Sequence, residues 1–220
     1  MNVPAPQSYG FNEFLLDLVK DNSEPQDVVY NYICNVKKPR FDSLYSRLKK
    51  VRDIKVKGKK ELGRKSNLVG RIFEQLLATL IDGCKILRFG ANVRTTVGEL
   101  DFLLHIEALA SAVPMFRTAG AHAIGEAKCY TTGMKSEWLN EFAGILPAHQ
   151  ANLGILFMAA PSKKLRSDHR TIIGLHAARG IFVVPFGMKQ LDAVKNGENF
   201  LKLLCTQHSL AMTLSTSLSI

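Results

Sequence analysis

ELDFLLHI (residues 99–106) and HAIGEAKCY (residues 122–130) are the stretches that decide the fold, and both have the pattern of β-strands that carry acidic side chains. Asp101 points to one face of the first strand, and its apolar neighbours point to the other. Glu126 and Lys128 lie two residues apart in the second strand and project from the same face. If the strands are neighbours, Asp101 faces Glu126 within range of a shared cation. A lone carboxylate in a sheet is costly unless it is paired or binds a metal, so the pattern favours a site.

The elements on either side of these strands complete an α/β pattern. A helix over about 68–82, with Ser66 or Asn67 as N-cap, carries Glu74 at the border of a wide apolar face. An Ala-rich excursion at 107–120 separates the two strands as a loop or an added hairpin. Further strands are predicted at 85–89, 92–96, 153–159 and 181–185, and further helices at about 136–146, 167–178 and 192–204. This order predicts a sheet that is covered by helices on both faces.

The chain divides into three segments by composition. Residues 1–62 are predicted to be a small, basic, helical region with helices at 11–20, 26–36 and 41–51. Residues 63–208 hold the α/β domain. Residues 209–220 are predicted to be a frayed tail.

Positive charge is concentrated in one part of the chain. The formal net charge is +10, and residues 36–71 hold 14 Lys and Arg against 3 Asp and Glu. A segment of this kind indicates contact with a polyanion, most often nucleic acid, although a solvated charged helix is the alternative. The candidate DNA-binding residues are Lys49, Lys50, Lys57, Lys59, Lys60, Arg64 and Lys65.

The carboxylates of Asp101 and Glu126 are hard oxygen ligands, and the backbone carbonyl of Ala127 is a third. Such ligands suit Mg²⁺ or Mn²⁺, which keep several waters and accept phosphate oxygens. Lys128 would orient water or stabilise the charged transition state. Glu74 would join the cation through water or bind a second ion.

Taken in order, Glu74 in the opening helix, GELD (98–101) and IGEAK (124–128) resemble the PD-(D/E)xK nuclease superfamily, in particular its Mrr-type and Holliday-junction-resolvase-like domains. The resemblance covers about residues 66–190, and Leu100 stands where the family often has proline. It implies an α/β restriction-endonuclease-like fold, with a mixed central sheet flanked by helices, and Mg²⁺-dependent hydrolysis of DNA. It also implies that Asp101 and Glu126 are metal ligands, that Lys128 is the base or charge stabiliser, and that Glu74 is the helical acid.

Each of these residues also has a purely structural interpretation. Glu74 would be a solvated acid at the helix edge. Asp101 would pair with Arg94 on an edge strand. Glu126 and Lys128 would form a simple ion pair.

The sequence therefore predicts a Mg²⁺-dependent DNA endonuclease, with a resolvase of branched DNA or a non-catalytic nucleic-acid-binding module as the alternatives. Because one site cuts one strand, concerted double-strand cutting would need a homodimer. No membrane partner is expected, since no apolar run approaches about 18 residues, and a cytoplasmic location is expected from the lack of a signal peptide. Residues 58–66 have the GxxxxG spacing of a phosphate loop but lack its Lys-Ser/Thr pair, so no nucleotide cofactor is expected.

Overall fold

The structure is a computed structural model that describes residues 25–95, 98–129, 134–159 and 166–216. The helix predicted at 11–20 and the last residue of the strand predicted to end at Tyr130 lie outside these ranges. The described helices are α1 (Pro25–Ile33), α2 (Lys38–Asp53), α3 (Lys59–Asp82), α4 (Ser136–Ala148), α5 (Ser167–Ala177), α6 (Met188–Lys195) and α7 (Phe200–Thr216). The strands are β1 (Leu87–Arg94), β2 (Glu99–Ile106), β3 (His122–Lys128), β4 (Leu153–Met158) and β5 (Phe182–Phe186).

The five strands form one mixed sheet in the order β1-β2-β3-β4-β5. β2 pairs antiparallel with both β1 and β3, whereas β4 pairs parallel with both β3 and β5. The predicted α/β class, the mixed sheet and the adjacency of the two acidic strands are therefore confirmed. The excursion between β2 and β3 is neither an open loop nor a hairpin but two short 3-10 helices, Ala108–Ala112 and Pro114–Arg117.

Helices cover both faces of the sheet and bury two apolar clusters. On one face, α1, α2 and α3 share a cluster with α6, the first turns of α7 and the side chains of Phe102 and Phe157. On the other face, α4 and α5 pack against Ile124 and Leu156. Because the apolar residues of α1 and α2 enter the same cluster as those of α3, α6 and α7, the N-terminal helices are packed onto the helical layer of the α/β domain.

α3 is longer than the sequence pattern predicted. It begins at Lys59 and not near residue 68, and the boundary predicted between residues 62 and 63 falls inside it. The first two turns hold no apolar stripe, but they are rich in Lys, Glu and Arg, which have high helix propensity. The GxxxxG spacing at 58–66 therefore lies mostly in a helix and does not form a phosphate-binding loop.

The C-terminal prediction was also wrong in two respects. Residues 188–216 form two helices that are separated by residues 196–199, and the φ of Gly197 in this connection is +103°. Residues 209–216, predicted to be tail, continue α7. Leu204, His208 and Ala211 recur at helical spacing and are all buried, which explains why the helix continues.

Across the described ranges, no helix is both long enough and apolar enough to cross a bilayer.

Candidate active site

The candidate site forms where β2 and β3 stop pairing. The residue pairing between these strands runs from His105↔His122 to Phe102↔Gly125, which puts Asp101 opposite Glu126 at the next step. Leu100 packs in the cluster on the α4 side, whereas Phe102 packs in the cluster on the α3 side. The alternation of β2 is therefore broken at Asp101.

A local irregularity in β1 accompanies this change of face. Asn92, which lies beside Asp101 on β1, has a φ of +51°, a left-handed conformation that Asn tolerates better than most residues. Since β2 lies between β1 and β3, Asp101 is on an interior strand and not on the edge strand that the pairing with Arg94 assumed.

The Asp101 carboxylate reaches across to β3. Its Oδ2 accepts a hydrogen bond from the backbone N–H of Ala127 at 2.7 Å. A side chain therefore takes over the link between the strands where the pairing of β2 with β3 ends. This contact fixes the Asp101 carboxylate beside the residue that follows Glu126.

Gly125 allows the strand to bring Glu126 to this position. A Cβ atom at Gly125 would stand 3.1 Å from the Cβ of Phe102 and 3.3 Å from Cε2 of Phe157. The rings of Phe102 and Phe157 meet edge-on with centroids 6.3 Å apart and fill the space that a side chain would need. The glycine of IGEAK is thus explained by packing on the face opposite Glu126.

Glu126 and Lys128 form an ion pair through Oε1 and Nζ. Their side chains are 19% and 28% exposed, so the pair is shielded but reachable from solvent. Burial raises the pKa of the Glu126 carboxyl and the negative charge of Asp101 adds to the rise, while Lys128 opposes it. Glu126 and Lys128 thus form the ion pair that their structural interpretation predicted. The same Glu126 carboxylate is repelled by Asp101.

Glu74 joins this group from α3. Burial raises the pKa of the Glu74 carboxyl, and the negative charge of Asp101 raises it further. Asp101 is therefore close enough to act electrostatically on both Glu74 and Glu126. Asp101 is thus the acid that contributes to the raised pKa of both Glu74 and Glu126.

Two residues of this neighbourhood, Cys129 and Arg52, were not predicted from the sequence. Burial raises the pKa of the Cys129 thiol to about 12, with contributions from the charges of Glu74 and Asp101, while Arg52 opposes the rise. Cys129 directly follows Lys128, so its place could have been inferred from the strand. Arg52 in the last turn of α2 comes close only through packing, and nothing in the sequence pattern marks it.

The donor set fits some cations better than others. Within the described ranges, no three side chains among His, Cys, Asp and Glu are arranged to hold a metal ion. This does not suit zinc, which takes three or four protein side chains. Mg²⁺ needs one or two carboxylates and keeps several waters, so it fits Asp101 and Glu126, whose mutual repulsion a cation would relieve.

The predicted DNA-binding residues fall into two groups. Lys49 contacts Asp192 at 3.2 Å and lies over the Tyr45 ring, and Lys65 donates to the carbonyl oxygens of Arg52 and Ile54. These two side chains hold α2 against α6 and complete the end of α2. The other five residues are exposed to solvent and make no such contact with the described part of the chain. Lys50 lies on α2. Lys57, Lys59, Lys60 and Arg64 lie close together, from the end of the α2–α3 connection to the second turn of α3.

Together these elements define an α/β protein with a mixed five-stranded sheet and a cluster of acids where two of its strands part. Comparison of the chain with models of protein families, with curated proteins and with solved structures found no match.

Replacing Glu74 with glutamine is expected to stabilise the protein at neutral pH. Because the pKa of Glu74 is raised on folding, folding is favoured where the group is protonated, and this advantage is lost as the pH rises through the folded-state pKa. The ionised Glu74 therefore destabilises the fold at pH 7. Glu74→Gln should raise the melting temperature by about 1–3 °C at pH 7 and leave it unchanged below about pH 4.

The matched control is Glu141→Gln, at an exposed glutamate of α4. Thermal unfolding followed by circular dichroism between about pH 3.5 and pH 8 measures both variants. A lower melting temperature of Glu74→Gln at pH 7 would contradict the clustering of like charges.

The sequence predicts that the exposed cations of residues 36–71 bind DNA, so replacing Lys57, Lys59 and Lys60 together with glutamine should weaken that binding and reduce its dependence on salt. Each lost phosphate contact lowers the slope of log K against log salt by about 0.9. Fluorescence anisotropy with a labelled duplex over a range of salt concentrations measures the slope. The triple variant Lys85→Gln, Lys189→Gln, Lys202→Gln makes the same change of charge outside residues 36–71, and equal effects of the two triple variants would contradict a localised DNA surface.

Proposed function

We propose that this protein is a Mg²⁺-dependent DNA endonuclease of the PD-(D/E)xK type, built on a restriction-endonuclease-like fold. One observation carries the proposal. Asp101 and Glu126 occupy facing positions on adjacent strands, and the Lys128 ammonium lies against Glu126. Two carboxylates that repel each other beside an ammonium form a site for a divalent cation and a phosphate together.

The residues have separate tasks in this proposal. Asp101 and Glu126 would hold the cation with the carbonyl oxygen of Ala127, and Glu74 would act through water. When bound, Mg²⁺ (or Mn²⁺) supplies positive charge at the phosphate and makes water a better nucleophile. Asp101 is kept in place by the N–H of Ala127, so its position does not depend on the cation.

Lys128 contributes a positive charge whose position is fixed by β3. Its ammonium is partly exposed and paired with Glu126, so an incoming phosphate meets a cationic donor at the strand end. Charge placed in advance in a shielded site stabilises a transition state more than charge in bulk water. Lys128 would therefore orient the attacking water or stabilise the negative charge that builds up on the phosphate.

The exposed cations of α2 and α3 would supply affinity for the DNA backbone. Phosphate contacts position a duplex and make binding salt-dependent, but they do not discriminate among sequences. α3 carries both ends of the proposed interaction, with Lys59 and Lys60 in its first turn and Glu74 farther along.

A second candidate, a non-catalytic DNA-binding module, is favoured by the Glu126–Lys128 ion pair. In that case the Lys128 ammonium neutralises the Glu126 carboxylate in place of a metal ion, and the site binds no divalent cation. The two candidates differ in metal dependence. A resolvase differs from the first candidate only in its preference for branched DNA.

Asp101→Asn and Glu126→Gln are expected to lower DNA cleavage at least about 100-fold and to leave DNA binding nearly unchanged. The amide oxygen that Asp101→Asn introduces still accepts the hydrogen bond from Ala127, and Glu126→Gln keeps the length of the side chain, so both variants should fold. Cleavage is measured on plasmid, linear and four-way-junction DNA, with Mg²⁺ and with chelator.

The control is Glu99→Gln, because Glu99 lies at the exposed start of β2. Full activity of either acid variant with Mg²⁺ would refute the assignment. Tight DNA binding without cleavage by the unmodified protein on all three substrates would support the non-catalytic module.

Lys128→Met is expected to lose cleavage by about 100-fold or more while binding Mg²⁺ at least as tightly as the unmodified protein. Removing the ammonium leaves the negative charge of Glu126 uncompensated, which favours a cation. Isothermal titration calorimetry with Mg²⁺ measures the affinity. Loss of Mg²⁺ uptake in this variant would indicate that Lys128 serves only to hold the site together.

A further inference from the structure

Two buried cysteines meet where the N-terminal helices join the sheet domain. Cys34 follows α1, and Cys84 lies between α3 and β1. They face each other in an isolated antiparallel bridge. The flanking backbone groups fix this bridge, since the N–H of Asn35 bonds the carbonyl of Gly83 and the N–H of Lys85 bonds the carbonyl of Ile33, both at 2.8 Å.

This pattern of hydrogen bonds identifies Cys34 and Cys84 as a non-hydrogen-bonded antiparallel pair. The Cα atoms of such pairs are about 4.5 Å apart, and their side chains lie side by side. Disulfides join residues whose Cα atoms are about 4.4–6.8 Å apart. Cys34 and Cys84 are only 3% and 2% exposed, and both are free cysteines.

We propose that Cys34 and Cys84 are a site of reversible disulfide formation, with a small-molecule disulfide as the oxidant. The thiolate of one cysteine attacks the oxidant, forms a mixed disulfide and releases one small-molecule thiol. The second cysteine displaces the other half of the oxidant and closes the Cys34–Cys84 bond. Two protein thiols are thereby oxidised, and one small-molecule disulfide is reduced to two thiols.

A third cysteine, Cys205, lies near Cys34 and Cys84 and is an alternative disulfide partner for either of them. Cys205 on α7 is close enough to act electrostatically on both Cys34 and Cys84, and its thiol is hydrogen-bonded to Tyr30. Cys205 comes from a helix, and the backbone bonds that align Cys34 with Cys84 do not include it. The backbone alignment therefore selects Cys34–Cys84 over either pairing with Cys205.

The bond would close a loop that contains α2, α3 and the whole basic segment 36–71. Closing a loop of this length restricts the unfolded chain, which raises stability. The bond would also join the end of α1 covalently to the start of β1. Because both thiols are buried, the oxidant reaches them only when this junction opens locally, so formation is expected to be slow.

The test uses the full chain, reduced and then incubated with oxidised glutathione. Alkylation under denaturing conditions should then label two of the four cysteines instead of four, and peptide mapping should place the disulfide between residues 34 and 84. The melting temperature should rise by about 5–15 °C and return to its starting value with dithiothreitol. Four free thiols after prolonged oxidation, glutathione adducts alone, or a disulfide that includes Cys205 would each overturn the proposal.

Variants separate the pair from the other cysteines. Cys129→Ala and Cys205→Ala should keep the disulfide and the rise in melting temperature, whereas Cys84→Ala should lose both. If Cys84→Ala does not fold, the mapping on the unmodified protein and on Cys205→Ala still decides the pairing. If oxidation still raised the melting temperature of Cys84→Ala, the stabilisation would come from other groups, and the proposal would be refuted.

Discussion

The hydrogen bond from the N–H of Ala127 to Asp101 is the contact on which the candidate site depends. It replaces backbone pairing at the point where β2 and β3 part, and it holds a carboxylate directly opposite Glu126. Burial raises the pKa values of Glu74 and Glu126, and the negative charge of Asp101 adds to both. The fold thus keeps like charges near one another, which costs stability.

The central part of the fold could be predicted because its sequence patterns are local and strong. β2 begins and ends where the alternation in ELDFLLHI predicted, and the apolar run that begins at Leu153 forms the buried strand β4. The facing of Asp101 and Glu126 followed once the two strands were assumed to be neighbours. The change of face between Leu100 and Phe102 could not be predicted, since nothing in the local alternation marks it; it occurs beside the left-handed Asn92 of the adjacent strand.

The errors lie where apolar periodicity is weak or depends on distant packing. The first turns of α3 are polar, so only helix propensity marks them. In residues 209–216 the apolar side chains of Leu210 and Met212 are exposed, and the helix packs on the cluster of the α4 side through Ala211 and Leu214. The contact of Lys49 with Asp192 could not be predicted either, because the two residues are 143 positions apart in sequence and meet only when α2 packs against α6. Lys49 also lies over the Tyr45 ring.

If DNA lies along α3 as part of the proposed function, the length of this helix sets a scale for the duplex. Lys59 and Glu74 lie on the same uninterrupted helix, and fifteen residues at about 1.5 Å each separate them by roughly 22 Å along its axis. One strand of a duplex advances about 3.4 Å per base pair, so this span corresponds to roughly six or seven base pairs. A duplex that ends fewer than about six base pairs from the cleaved bond would not reach Lys59 and Lys60, so these lysines would stay in solvent and the duplex would bind more weakly.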